Sequence, residues 1–256
     1  MIFLGVVVIP TSDLARLLLS RLWDVSFRSE LENLGVQVSP SNYYSSLPSL
    51  KDIEQSFEYS SVEPPFANNA LFNLEALKTV LNDLITYAGD FNPPKEGNED
   101  APLGYFLQNP QFSKSDPFAA FALIKKHRPR SIVEIGSGFS TLLLVATQQF
   151  HGGKVVCVDP YPRSFVRELA ATGQLSLIEK PVQELTASHL NSLTTNGDFI
   201  FIDSTHTVKT GSDCVHLYLR LIPNLQSKIL IHVHDVFLPY PLPRHWLVDH
   251  QIFWTE

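Results

Sequence analysis

The sequence predicts an α/β fold in which a mostly parallel sheet carries helices on both faces, preceded by a mainly helical N-terminal segment. Short apolar runs alternate with helical stretches from Asp116 onward, and three of those stretches are followed by a glycine. Strands that are apolar throughout are typical of parallel sheets covered on both sides. With 256 residues, 44% of them hydrophobic and 18% charged, the chain is long and apolar enough for such a core.

Residues 1–115 are expected to form the N-terminal segment, a lid or packing extension made of helices and loops. The opening Ile2–Ile9 is apolar, lacks the features of a signal peptide and is too short to span a bilayer, so we interpret it as a buried strand or packing segment. Leucines at helical spacing predict one helix over 11–22 and another over 70–87. Aromatic residues of this segment that could cover a ligand are Tyr43, Tyr44, Tyr105 and Phe106.

Residues 116–256 are expected to form the α/β domain. Asp116 followed by Pro117 predicts a helix start, with Asp116 as the N-cap and the helix ending near His127. Right-handed crossovers between parallel strands place all the carboxyl ends at one edge of the sheet, where ligands of such folds bind. The predicted strands are Ser131–Ile135, Lys154–Val158, Leu175–Ile178, Asp198–Ile202 and Lys228–Val233.

The charge balance argues against polyanionic partners. Lysine and arginine number 19 against 26 aspartates and glutamates, which gives a net charge of −7, so nucleic acid or an anionic membrane would be repelled. Cys157 and Cys214 lack metal-site spacing and cannot build a disulfide framework, which favours a reducing compartment. We therefore expect a cytoplasmic protein that acts on a small molecule, with neither nucleic acid nor membrane as a partner.

The most informative stretch is Ser131–Leu142, which reads as a buried strand, a sharp glycine turn and a helix start. Gly136 and Gly138 would let the backbone approach a ligand closely. A dinucleotide site would carry a third glycine where this chain has Thr141, and Glu134 suits a cationic group better than a diphosphate. The plainer alternative is a tight strand-to-helix turn without a ligand.

Asp159 ends the second predicted strand, about twenty residues past the glycines, where an acid can accept hydrogen bonds from both hydroxyls of a ribose. Taken alone, Asp159 could equally be a turn former before Pro160. Its combination with the glycine turn favours a nucleoside-binding edge.

The segment Glu134–Ser140 resembles the first motif of class I S-adenosylmethionine-dependent methyltransferases, with Ser140 in place of the usual third glycine. The resemblance extends to an uncharacterised bacterial branch with the strings G-S-G-F-S-T, I-D-S-x-H and H-D-x-F-L-P, found here at Gly136–Thr141, Ile202–His206 and His234–Pro239. It implies a Rossmann-like fold and S-adenosylmethionine as the methyl donor. The residues that would bind this donor are Glu134, Gly136, Ser137, Gly138, Ser140, Thr141, Asp159 and Asp203.

Polar residues after the fourth and fifth strands, namely Asp203, His206, His234 and Asp235, are expected to meet beside the donor's methyl group. Methyl transfer requires an aligned nucleophile and a group that removes or masks its proton. A histidine suits a hydroxyl proton, so His206 is the first candidate for the base and His234 the second, with Asp203 or Asp235 as electrostatic support. The acceptor would be a hydroxyl of a small molecule, such as a sugar or a secondary metabolite.

Two alternatives remain open for the acceptor side. The same four residues could bind a divalent metal, for which mixed carboxylate and imidazole ligands suit manganese, iron or zinc better than magnesium, although the spacing does not favour a metal. The histidines could also be structural, and His232 is the strongest candidate for a buried core residue.

The resemblance implies seven strands, the last two forming a hairpin against the fifth. About twenty residues follow the fifth predicted strand in this sequence, so we expect that hairpin to be missing and the C-terminus to be truncated. The fifth strand would then be an exposed apolar edge, which a homodimer or Ile2–Ile9 could cover. A non-catalytic binding or interaction module is the alternative function, and a nicotinamide oxidoreductase is disfavoured by Thr141 and Glu134.

Overall fold

The computed structural model describes residues 10–68 and 70–256, which divide into two compact units between Ser60 and Ser61. The boundary predicted from composition lay at Ser115, and the difference arises because the helix over 74–87 packs against the helix that precedes the sheet. The predicted role of Ile2–Ile9 lies outside the described residues. In the part of the chain that the structure describes, none of the helices combines the length and the hydrophobicity needed to cross a membrane.

The described residues of the first unit, 10–60, form three short helices: α1 (Thr11–Arg21), α2 (Val25–Asn33) and α3 (Leu50–Glu54), followed by a 3₁₀ turn at Phe57–Tyr59. The predicted helix over 11–22 is confirmed, although no side chain caps it and Pro10 stands at the N-cap. Tyr43 and Tyr44 lie in a turn of this unit and are 95% and 90% exposed.

Five parallel strands form one sheet in the second unit, in the order β3-β2-β1-β4-β5. This order, with the reversal beside β1, is that of a doubly wound nucleotide-binding sheet, so the predicted Rossmann-like α/β fold is confirmed. The strands are β1 (Ser131–Ile135), β2 (Lys154–Val158), β3 (Ser176–Ile178), β4 (Phe199–Ile202) and β5 (Leu230–Val233).

Helices cover both faces of the sheet. They are α4 (Leu74–Tyr87), α5 (Ser115–His127), α6 (Phe139–Gln149), α7 (Ser164–Ala171), α8 (Ala187–Leu193), α9 (Asp213–His216) and α10 (Arg244–Asp249), with a π-helical turn at Leu217–Leu221 and 3₁₀ turns at Val182–Glu184 and Ile222–Asn224. Side chains of β1 alternate between two cores: Ile132 packs with α5, α6 and α7, while Val133 packs with α8 and the π-helical turn.

Two predicted element boundaries shift for identifiable reasons. Asp198 precedes β4 instead of starting it. Its carboxylate accepts the amide of Thr195, which closes a turn, and the amides of Arg130 and Ser131 at the start of β1. Asp116 is not the N-cap of α5. The helix begins at Ser115 after Lys114, which has a positive φ of 62° and makes no side-chain cap, so Asp116 lies in the first turn.

Strand β5 is the outer strand on its side of the sheet, and among the described residues no further strand pairs with it. Its side chains are half-buried. The residues after α10 return to the carboxyl edge of the sheet, where the amides of Thr255 and Glu256 donate hydrogen bonds to the carbonyl of His206.

Candidate active site

Two cavities adjoin at the carboxyl edge of the sheet. The smaller, of about 470 Å³, lies over the ends of β1 and β2, and the larger, of about 730 Å³, lies over the ends of β4 and β5. Both are within the size range of small-molecule sites. Three residues line both cavities: Ser137, Asp203 and Ser204. A ligand that extends across the end of β1 would therefore have one part in each cavity.

The glycine turn after β1 has the geometry that its sequence predicts. Gly136 has a φ of 84°, and a Cβ added to it would lie 1.8 Å from the carbonyl oxygen of Asp203. This position therefore accepts only glycine, because both the backbone conformation and the close approach of β4 exclude a side chain. Gly138 differs, since nothing lies within 4 Å of where its Cβ would be, and it faces the larger cavity.

Glu134 is fully buried beneath the glycine turn and lines neither cavity. The hydroxyls of Ser140 and Thr141 each donate a hydrogen bond of 2.7 Å to its carboxylate, and the Cys157 thiol donates one of 2.9 Å. Thr141 Oγ1 in turn accepts the amide of Gly138 at 3.0 Å. Glu134 and Thr141 were predicted to bind the donor, but in the structure they hold the turn from below, so any effect on a ligand acts through the backbone.

Burial raises the pKa of Glu134 to about 7, although the three hydrogen bonds to its carboxylate oppose that increase. A carboxyl group with a raised pKa stabilises the fold fully below its unfolded pKa and loses that contribution as the pH rises through the folded value.

Replacing Glu134 by glutamine should therefore flatten the pH dependence of stability. Between about pH 5 and about pH 8, the wild type is expected to lose about 3 kcal/mol of unfolding free energy that Glu134→Gln does not lose. The variant therefore gains stability relative to the wild type as the pH rises. Urea denaturation of both proteins across this range measures it. A constant difference would contradict the assignment of a raised pKa to Glu134.

Asp159 follows β2 and lines the smaller cavity. Its Oδ2 accepts a hydrogen bond of 2.6 Å from the Ser137 hydroxyl, and its Oδ1 accepts the Tyr161 amide at 2.7 Å. Each carboxylate oxygen keeps a further lone pair, so the group can also accept hydrogen bonds from a vicinal diol. Pro181, Val182 and Gln183 also line this cavity.

His206 follows β4, and both of its ring nitrogens contact carboxylates. Nδ1 lies 2.7 Å from Glu256 Oε2 and Nε2 lies 3.2 Å from Asp203 Oδ1, while the ring packs against Trp254 at 4.3 Å between centroids. Burial lowers the pKa of the imidazole, but the carboxylates of Asp203 and Glu256 outweigh this and raise it to about 9. His206 is therefore an imidazolium at neutral pH, which does not suit its predicted role as the base.

His234 follows β5 and is surrounded by three carboxylates. Its Nε2 lies 3.4 Å from Asp116 Oδ2, and its Nδ1 lies 3.4 Å from Asp203 Oδ1 and 3.5 Å from Asp235 Oδ2. Burial lowers the pKa of this imidazole, yet the contacts with Asp116 and Asp203 raise it to about 10. None of these contacts has the geometry of a hydrogen bond, so both buried ring nitrogens could still gain a partner.

Two of the three aspartates around His234 have pKa values that shift in opposite directions. Burial raises the pKa of Asp203, but its contacts with His206 and His234 lower it well below the usual range. Burial raises the pKa of Asp235, and the attraction of His234 does not cancel this effect. Asp235 is thus the more basic carboxylate at the edge of the larger cavity.

Three residues of the cluster could hold a divalent metal. Asp203, His206 and Asp235 each offer one ligand atom, and these atoms lie within 4.8 Å of one another. The donor set of two carboxylates and one imidazole fits manganese, iron or zinc better than magnesium. His206 would have to lose a proton and exchange its contact with Asp203 or Glu256 for the metal.

Backbone strain is concentrated at this site. Of the five non-glycine residues with a positive φ in the described part of the chain, three line the larger cavity: Lys114 at 62°, His206 at 54° and Asp235 at 54°. Such conformations cost about 1–3 kcal/mol each and persist where surrounding contacts enforce them, often at functional sites.

Several cavity residues could not be recognised from local sequence. Asp116 reaches His234 from α5, and Trp254 brings aromatic surface from near the end of the sequence. The loop 237–246, by contrast, is expected from its position after Asp235 to lie over this cleft, and Phe237 and Trp246 line the larger cavity. His232 is half-buried, and the loss of hydration lowers its pKa to about 4, as expected of a structural histidine. Of the proposed lid residues, Tyr105 is a core residue whose hydroxyl donates to the Phe112 carbonyl, and Phe106 packs on Phe139 at 5.8 Å.

The sheet order, the glycine turn and the acid after β2 are features that the resemblance to class I methyltransferases implies. Residues 133–236 match the family described as "Methyltransferase domain" (Methyltransf_24). This match agrees with the resemblance to methyltransferases seen in the sequence.

Individual proteins with similar chains were also found. An uncharacterized protein of Archaeoglobus fulgidus is 28% identical over 182 residues, which represent 67% of this chain and 81% of that protein. Among solved structures, the SAH-bound methyltransferase PaMTH1 of Podospora anserina has 18% identity and a TM-score of 0.39 over 70% of this chain and 81% of that chain. SirC, a precorrin-2 dehydrogenase, has 18% identity and a TM-score of 0.30 over 43% of this chain and 46% of that chain.

Proposed function

We propose that this protein transfers a methyl group from S-adenosylmethionine to a hydroxyl of a small molecule. The observation that carries the proposal is the pair of adjoining cavities. One has the glycine turn and Asp159, and the other has a cluster of carboxylates and imidazoles. A donor bound across the end of β1 would present its methyl group to that cluster.

On the donor side, the chain's own groups provide close approach and hydrogen bonds. When bound, S-adenosylmethionine supplies a methyl group activated by a sulfonium. The side chain of Asp159 would accept hydrogen bonds from the ribose hydroxyls, and Ser137 would yield part of its present bond to that carboxylate. Gly136 and Gly138 allow the methionine portion to lie directly on the backbone.

On the acceptor side, we propose Asp235 in place of His206 as the proton acceptor. Both imidazoles carry raised pKa values and are protonated at neutral pH, whereas burial raises the pKa of Asp235 and makes it a stronger base than Asp116 or Asp203, whose pKa values are lowered. A hydroxyl beside Asp235 would donate its hydrogen bond, and finally its proton, to this carboxylate. Asp203 would hold His206 and His234 in place. Its negative charge would balance the positive charges of the two imidazoles while the donor loses the positive charge of its sulfonium.

Replacing Asp235 by asparagine tests this assignment with little conformational cost, because asparagine tolerates the positive φ found there. Transfer from isotopically labelled S-adenosylmethionine to a panel of hydroxylated sugars and phenols should fall by about a hundredfold or more. Donor affinity should remain within about threefold of wild type. Unchanged transfer in the variant would exclude Asp235 as the base.

A metal-assisted version of the reaction rests on the Asp203, His206 and Asp235 group. A bound divalent ion would lower the pKa of the acceptor hydroxyl at this position. The transfer assay should therefore be repeated after treatment with a chelator. Loss of transfer that manganese or zinc restores would favour the metal, and insensitivity to the chelator would leave Asp235 as the proton acceptor.

The non-catalytic alternative is supported by one observation, namely that Glu256 and Asp203 occupy both ring nitrogens of His206. Donor binding without transfer to any acceptor in the panel would favour a binding module. Transfer to even one acceptor, lost in Asp235→Asn, would exclude it.

A further inference from the structure

The larger cavity contains two cations that the proposed reaction does not use. Lys114 and Arg163 both line it, and both side chains are exposed to solvent. Among the described residues, neither takes part in an ion pair with a carboxylate. Other basic residues of the same unit are paired, for example Arg167 with Glu179. The cavity is thus lined by two cationic side chains that have no carboxylate partner among the described residues.

Arg163 is held in position without neutralisation of its charge. Its Nη2 donates a hydrogen bond of 2.5 Å to Gln111 Oε1, and its guanidinium lies 5.3 Å from the centre of the Phe139 ring. These contacts leave further N–H groups of the guanidinium available. Phe139 begins α6 directly after the glycine turn, so the guanidinium is fixed beside that turn.

Lys114 reaches the same cavity from the loop before α5. Its positive φ is a conformation that favours glycine, yet the chain has a long cationic side chain there. The carboxylates of this cavity are already engaged elsewhere: Asp116, Asp203 and Asp235 all contact His234. The two cations are therefore available to a ligand.

We propose that Lys114 and Arg163 form a subsite for an anionic group, a carboxylate or a phosphate, of a molecule bound in the larger cavity. This inference rests on the proposed function, because that cavity is where the donor's methionine portion and the acceptor would meet. The forked guanidinium suits a planar carboxylate or a phosphate, and the lysine adds a point charge. The anion could be the donor's own α-carboxylate or an acidic group of the acceptor.

A pair of donor analogues separates these two sources. S-adenosylhomocysteine has the α-carboxylate and 5′-methylthioadenosine lacks the amino-acid portion that carries it. The affinities of both analogues are measured by calorimetry for three proteins: the wild type, the double variant Lys114→Met with Arg163→Met, and the control Lys154→Met. Lys154 is exposed and begins β2, at the opposite edge of the sheet. If the donor supplies the anion, the double variant should bind S-adenosylhomocysteine about tenfold or more weakly, with 5′-methylthioadenosine unaffected.

Inorganic phosphate is the probe in the second experiment. Its binding is detected by NMR, through changes in the chemical shifts of the amides of Lys114 and Ser137. If the subsite belongs to the acceptor, phosphate should bind the protein saturated with S-adenosylhomocysteine, and the double variant should lose this binding. If it belongs to the donor, phosphate should compete with S-adenosylhomocysteine and not with 5′-methylthioadenosine.

The inference would be overturned if the double variant binds both analogues as tightly as wild type, and if phosphate binds the wild-type protein neither with nor without bound S-adenosylhomocysteine. That outcome leaves the proposed function standing, provided 5′-methylthioadenosine binds. A folded wild-type protein that binds neither analogue would instead contradict the proposed function and this inference with it.

Discussion

Replacing Gly136 by alanine is expected to abolish donor binding and to lower the free energy of unfolding by more than about 3 kcal/mol. The added methyl group would lie 1.8 Å from the carbonyl oxygen of Asp203, and the positive φ of 84° would be strained. The turn after β1 and the end of β4 would have to separate, which disrupts the junction of the two cavities. Chemical denaturation and calorimetric titration with S-adenosylhomocysteine measure the two effects.

The matched control is Gly138→Ala, two residues further along the same turn. Nothing lies within 4 Å of the position its Cβ would take, and its φ of −178° is extended backbone. We therefore expect wild-type stability, but weaker donor binding, because the methyl group would enter the space where the donor should lie. Equal donor affinities of wild type and Gly138→Ala would show that the donor does not pass over this turn.

Replacing Asp203 by asparagine is expected to reduce methyl transfer by at least about a hundredfold and to lower the pKa of both His206 and His234. In the described part of the chain, Asp203 is the one carboxylate that contacts both imidazoles, at 3.2 Å and 3.4 Å. Without its charge, each imidazolium loses a stabilising partner and releases its proton at a lower pH. NMR titration of the histidine ring protons detects the shift directly.

Asp198 offers a control at the other end of the same strand. Its carboxylate accepts the amides of Arg130, Ser131 and Thr195, far from the two cavities. Asp198→Asn should lower the unfolding free energy by about 1–3 kcal/mol and leave both histidine titrations unchanged. Histidine titrations that do not move in Asp203→Asn would contradict the proposed charge cluster.

The fold was predictable because its signals are local. The bounds of β1 and β2 agree with the prediction, since both strands are mainly apolar runs that are followed directly by a glycine or an aspartate. Thr186 and Ser212 cap α8 and α9 through their side chains, as hydroxyl residues before a helix do. The predicted donor and acceptor residues lie at the carboxyl edge of the sheet, and their individual roles stay predictions.

The electrostatics of the site could not be predicted, because they depend on contacts between distant residues. Glu256 contacts His206 from the last position of the sequence, and Asp116 contacts His234 from the helix before the sheet. These contacts raise the pKa values of the two histidines and remove the reason for choosing His206 as the base. Glu134 is a similar case, since only the packed structure shows that its carboxylate lies beneath the turn.

The most direct test of the donor site is a calorimetric titration of wild type and Asp159→Asn with S-adenosylmethionine, with NADH as the competing class of ligand. Glu168→Gln, an exposed acid on α7, is the control. We expect wild type and the control to bind S-adenosylmethionine and not NADH, and Asp159→Asn to bind it at least about tenfold more weakly. Binding of NADH, or equal affinity of Asp159→Asn and wild type for S-adenosylmethionine, would contradict a methyl-donor site at the ends of β1 and β2.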